Sequence, residues 1–161
     1  MKITNRPGAV GALLDEYERA ILDLQKTIDD ISDQELITIV DNQTSDDNCK
    51  SIQTILAHVV RAAYGYAIRI RNLKGFNLEI PEKLFRLNVK EFQNDLTSFF
   101  AFTVDTFSDI EDKELEQFDN TKKIVSSWGQ IYDIEQMMEH AIVHILRHRR
   151  QIEKFKTLLR E

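Results

Sequence analysis

Thiols and chain breakers are both scarce in this sequence. One cysteine, Cys49, among 161 residues excludes an internal disulfide and a thiolate-rich zinc cage. Only two prolines and five glycines argue against a many-turned all-β fold and for long helices. Long apolar runs are missing as well. No segment approaches a membrane span, and Met1 to Ala12 carries no stretch of signal-peptide length, so a cytoplasmic location is the default expectation. A basic excess is also lacking, because the formal net charge is -6 and the overall field does not draw the chain to nucleic acid or anionic lipid. Arg147, Arg149 and Arg150 form a local basic run, without the wider basic face of a nucleic-acid binder. Neither nucleic acid nor membrane is expected as a partner.

What is present is globular composition, with 42% hydrophobic and 30% charged residues, in a length that fits one domain spanning 1–161. From Pro7 and Gly8 onward, Val10, Leu13, Leu14, Tyr17, Ile21, Leu24 and Ile28 recur at three- and four-residue spacing, the stripe of an amphipathic helix. Ser32 with Glu35 forms a capping-box pattern over a short helical turn. Asp41 to Lys50 is polar and reads as a loop. A second helix, capped by Ser51 or Asn48, carries Ile52, Ile55, Leu56, Val59, Ala63, Tyr66 and Ile70 inward. Asn72 to Asn88 lacks periodicity and reads as a crossover. A third helix runs from about Val89 to Phe107 with Phe92, Leu96, Phe99, Phe100, Thr103 and Phe107 facing in. Asp109 to Ser127 makes a second long connection, and Asp133 begins a last helix that continues to the C-terminus. The expectation is an all-α four-helix bundle with two long crossover connections and non-sequential neighbours.

The chain has four histidines, and their placement is informative. Three fall as His140-x3-His144-x3-His148 on the last helix. Residues four apart on a helix differ by about 40° around the axis and stand roughly 6 Å apart at Cβ, so two such imidazoles reach one metal ion. Met137, Ile145, Ile152 and Phe155 lie beside this stripe and turn it inward. Three buried neutral imidazoles in a column compete for hydrogen-bond partners. A metal ion resolves that conflict by taking one nitrogen of each ring. His58, among the apolar positions of the second helix, is the candidate third ligand. The rival reading has no metal, and the column is a pH-sensitive core or dimer surface.

The last helix reads Met137-Met138-Glu139-His140-Ala141-Ile142-Val143-His144-Ile145-Leu146-Arg147-His148-Arg149-Arg150-Gln151-Ile152. This resembles the closing signature of the DinB/YfiT-like metalloenzyme family (the DinB superfamily), an H-x3-H pair followed by R-x-Q-I. Ser51 to His58 resembles that family's first ligand helix, and Ser127-Trp128-Gly129 its approach to the last helix. The resemblance spans essentially the whole chain, with Arg150 standing where the family often has glycine. It implies an up-down-down-up bundle, often a homodimer, with a divalent ion held by His58, His144 and His148. His140 would then support those ligands from one turn earlier, and Arg149 would organise the bundle.

Three neutral imidazoles leave the ion's charge uncompensated and a coordination position open, the arrangement of catalytic sites. Zinc and nickel both suit imidazole ligands. Since the resembled family includes transferases and isomerases that use low-molecular-weight thiols, the resemblance implies a metal-dependent thiol S-transferase with a small-molecule substrate. The alternative is a binding or stress-response module whose metal holds helices together without turnover. Glu139 lies off the histidine stripe and offers no clear general base. Tyr64 and Tyr66 are candidates to line a pocket, although tyrosine on a bundle helix is more often core. Cys49, near a helix start, is either a thiol of lowered pKa or a bystander, the bystander being preferred. Trp128 is expected to plug the bundle end.

Overall fold

The computed structural model describes residues 5–161, so the first four positions of the Met1–Ala12 stretch and of the 1–161 domain lie outside the described residues. The chain is mostly helical. Its helices are α1 (Gly8–Ile28), the short α2 (Asp33–Ile37), α3 (Ile52–Leu73), α4 (Val89–Thr106) and α5 (Ile134–Arg160). Among the described residues no helix is long and apolar enough to cross a membrane.

Side chains satisfy the orphan backbone donors that begin these helices. Capping boxes form at Ser32 with Glu35, Ser51 with Thr54, and Asp133 with Gln136, and Asn88 accepts from the backbone of Glu91 at 3.0 Å. Asn48 does not cap α3, because it lies in a separate single 3-10 turn, Asp47–Cys49. Pro7 offers no side-chain cap to α1. Asp112, far along the chain, takes that role by accepting from the amides of Ala9 and Val10 at 2.9 Å each.

Each of α1 and α3 packs against both α4 and α5. The buried faces meet in one cluster that includes Leu24, Ile28, Leu36, Leu56, Ile70, Phe92, Leu96, Phe99 and Ile152. The expected inward stripes hold with small shifts. Phe100 is half-buried, and Val10 and Leu13 pack only partly against the core. Asp15 is a buried carboxylate on α1 that the apolar pattern did not reveal; Arg6 satisfies it through both its backbone amide and its guanidinium.

The fold is consistent with the all-α expectation, and the stretch between α4 and α5 adds one detail to it. This stretch contains a small antiparallel hairpin of β1 (Ile124–Val125) and β2 (Ile131–Tyr132), with Ile124 opposite Tyr132 and Val125 opposite Ile131. Two-residue strands are too short to leave an alternating signature. The turn between them needs Gly129, whose φ of +89° lies in the left-handed region. Ser126 closes the turn, its amide donating to the carbonyl of Gln130 at 2.9 Å and its hydroxyl accepting from the Gln130 amide at 3.0 Å. This hairpin carries Ser127 and Trp128 to the histidine face of α5.

The crossover between α3 and α4 has no regular structure, and polar contacts pin it across the bundle. Asn72 and Leu78 exchange hydrogen bonds of 2.9 and 2.8 Å. Gln53 on α3 donates to the carbonyl of Arg86 at 2.9 Å. Arg86 in turn grips Asp95 of α4 through two bonds of 2.8 Å. The segment therefore lies fixed over the end of α3 that carries His58.

Candidate metal centre

α3 and α5 bring His58, His144 and His148 together, with one ring nitrogen from each falling within 4.8 Å of the others. The Nε2 atoms of His58 and His144 stand 2.9 Å apart, and those of His148 and His144 3.2 Å apart. In a tetrahedral zinc site with Zn–N of about 2.0–2.1 Å, ligand nitrogens stand about 3.3–3.4 Å from each other. Two of the three pairs are thus close to that spacing and the third lies within 4.8 Å, although His58 and His144 stand 86 residues apart in sequence.

Hydrogen bonding alone does not account for the cluster. An imidazole nitrogen has one in-plane site, holding either a proton or a lone pair. His144 Nε2 faces two other ring nitrogens, so its single in-plane site makes one well-aligned hydrogen bond and leaves the other contact without one. Nor does the other side of the ring provide relief, because His144 Nδ1 is buried with no hydrogen-bond partner among the described residues. A cation shared by the three lone pairs removes the conflict at Nε2. These residues fit a divalent ion.

His148 is oriented for this task. Its Nδ1 donates to the side-chain oxygen of Gln151 at 3.0 Å, which leaves the Nε2 lone pair aimed at the cluster. The same Gln151 oxygen accepts from the Cys49 thiol at 3.8 Å. Gln151 stands in the motif that carried the family resemblance, but the sequence reading gave it no role. Its signal was the three-residue spacing from His148 on one helix face.

Burial sets the protonation of the rings. It is the largest influence on His144, followed by the neighbouring His148 and His58, and together they push that ring down to about 2. Burial and then His148 push His58 down to about 4. His148 is lowered by burial, with the Gln151 bond opposing. All three rings are neutral at pH 7, the form that binds a metal.

His140 stands apart from the trio. Its ring stacks on Trp128, with centroids 4.9 Å apart and planes 20° from parallel, and its Nδ1 faces the Tyr132 hydroxyl at 3.5 Å. Its ring lies 6.2 Å from that of His144. Contact with the cluster is by ring packing, and Tyr66 sits edge-on to both rings at 5.5 and 5.7 Å. Trp128 does not simply close the bundle end; it is 43% exposed and walls a cavity of about 210 Å³. That cavity opens onto His58, His140 and His144, with Tyr66, Gly65, Arg61, Arg69 and Ile80 on its other sides. Tyr64 is not part of it and packs against Phe99 and Phe102.

The remaining candidates have structural settings. Arg149 is half-buried and pairs with Asp23 of α1 at 3.3 Å and with Glu153 at 3.5 Å, which ties α5 to α1. Glu139 is exposed. The Cys49 thiol is raised by burial and by Asp46, opposite to an activated nucleophile.

A scan of protein-family models finds no match to the chain, and a search of the curated proteins finds none either.

Proposed function

We propose that this chain is a divalent-metal-dependent enzyme of the DinB-like type, with His58, His144 and His148 as ligands and thiol S-transfer as its reaction class. The observation that carries the metal reading is the convergence of three neutral ring nitrogens, on buried His144 and His148 and half-buried His58, near ligand spacing. The packing of α1 and α3 against both α4 and α5 supports an up-down-down-up bundle, and a cytoplasmic homodimer is the form in which we expect it to work.

When bound, a zinc or nickel ion supplies a Lewis acid that lowers the pKa of a coordinated water or thiol. The protein's own residues do the rest. His58 and His144 present their rings to the cavity while His148 sits behind them. Gln151 holds the His148 ring in register. Trp128, Tyr66 and His140 form an aromatic wall that shields one side of the cluster from water. Ligands buried on one side and open to a cavity on the other favour turnover over a purely structural ion, which is normally closed off by a fourth protein ligand.

The test is elemental analysis of protein purified without a polyhistidine tag, then a thiol-transfer screen of the zinc- and nickel-loaded chain against His144→Ala. We expect one ion per chain and a rate enhancement lost in the variant. A stoichiometry near zero after both metals are offered removes the metal reading. Equal rates in the two proteins remove the catalytic one.

A further inference from the structure

The cavity beside the histidines has a charge unlike that of the whole molecule. The chain is acidic, at -6, yet two guanidiniums and no carboxylate line this cavity among the described residues. Arg61, Gly65 and Arg69 follow each other at four-residue intervals on α3, so they share one face of the helix, next to His58. Neither arginine pairs with a carboxylate among the described residues, whereas Arg6, Arg71, Arg86, Arg149 and Arg160 all do.

Arg69 is held in place without being neutralised. Its guanidinium lies over the Trp128 ring, 5.6 Å from the centroid, and donates to the Ser127 hydroxyl at 3.2 Å. Burial and the nearby Arg61 both disfavour its charge, so a bound anion would relieve that cost. Gly65 leaves room for the Arg69 guanidinium where it lies, because a Cβ there would stand 2.9 Å from Arg69 Nη1 and displace it. A glycine inside a helix is less stable there than alanine, and here it keeps the Arg69 side of the cavity open.

We propose that this cavity binds a small carboxylate-bearing ligand, gripped at its acid end by Arg61 and Arg69 and directing its other end at His58 and His144. The guanidinium forks match a carboxylate in shape and charge, and Trp128 and Ile80 bound the space between. The inference deepens the proposed function by naming a substrate class, and it rests on that reading only for the end that meets the metal.

The test uses the full chain, with zinc content measured on the same samples. Mercaptosuccinate is compared with uncharged 2-mercaptoethanol, and binding is followed by the fluorescence of Trp128, the one tryptophan. We expect the dianion to bind at least about tenfold tighter. In the Arg61→Gln/Arg69→Gln double variant the preference should fall to near unity at unchanged helicity and zinc content. Gly65→Ala, which keeps both arginines and crowds Arg69, supplies a second arm with the same expected loss. A native preference below about twofold, or a preference that survives in the variants, overturns the proposal. Charge preference without bound zinc sinks the metal reading and leaves the carboxylate pocket standing, while bound zinc without charge preference does the reverse.

Discussion

Gln151 fixes the ring of His148 by accepting its Nδ1 proton at 3.0 Å, and it does so from one turn further along the same helix. The two residues act as a unit, because the proton given to Gln151 leaves the opposite nitrogen bare for the cluster. Removing the acceptor frees the ring to choose the other tautomer. Gln151→Ala should weaken zinc binding by about 10–100-fold, the usual effect of losing such a partner, with helicity intact. Competition against a chelator of known affinity measures this.

Metal loading should raise thermal stability in a way that depends on His144. One hundred-fold saturation over Kd stabilises a folded chain by about 2.7 kcal/mol. Zinc should therefore raise the Tm of the native protein by several degrees and leave that of His144→Ala unmoved. Melts with and without the ion decide the matter.

Falling pH should destabilise the metal-free protein before any carboxylate titrates. In the unfolded chain histidines take up protons near their ordinary pKa of about 6.5. Folded His58 does so only at about 4 and His144 at about 2. Between pH 6.5 and 4 the unfolded state binds more protons, so stability declines as pH drops through that window. Tm should be flat above pH 7 and decline from pH 6.5 to 5, and His58→Gln should make that decline shallower while His144 still contributes. An unchanged Tm across that interval would show that the rings are not buried as neutral groups.

Core and surface substitutions should separate cleanly. Phe92 is fully buried where α4 meets the rest of the cluster, and Phe92→Ala should cost about 3–5 kcal/mol. Arg160 bridges Asp30 and Glu35 at 2.8 and 2.7 Å, but it is substantially exposed, and Arg160→Ala should cost no more than about 1 kcal/mol. Urea denaturation of both variants tests the contrast.

Gly65→Ala should oppose stability to binding. Helix propensity favours alanine by roughly 0.5–1 kcal/mol, while the added methyl meets Arg69. We expect an unchanged or higher midpoint in urea together with weakened binding of mercaptosuccinate.

The four long helices were legible because breakers are few and their starts carry chemical markers, with Ser51 and Asp133 each beginning a real capping box. The pairing of His144 with His148 was legible for a related reason, since four-residue spacing on one helix is local information, whereas His58 was linked to it only through its apolar setting on a second helix and the family resemblance. Contacts that join distant segments were not. The stacking of Trp128 on His140 depends on a hairpin of two-residue strands whose pairing leaves no periodic trace. The burial of Asp15 leaves no trace in the apolar pattern either, because its partner Arg6 folds back from ahead of α1. Arg61 and Arg69 were passed over because a pair of arginines on a helix usually faces water, and only the packed chain shows them beside a cavity without acidic partners.

His144 and His148 share one helix, but His58 reaches them across 86 residues. Closing a chain loop of that length costs roughly 4 kcal/mol in entropy before any contact repays it. A nascent chain that has emerged only through α3 holds His58 alone, and a proteolytic fragment of α5 alone has two of the three nitrogens and none of the enclosure. The order of events is thereby set: the polypeptide must close on itself first, and the third nitrogen then becomes a sensor of completed folding. Whatever loosens the contact between α3 and α5 dismantles the trio at the same moment.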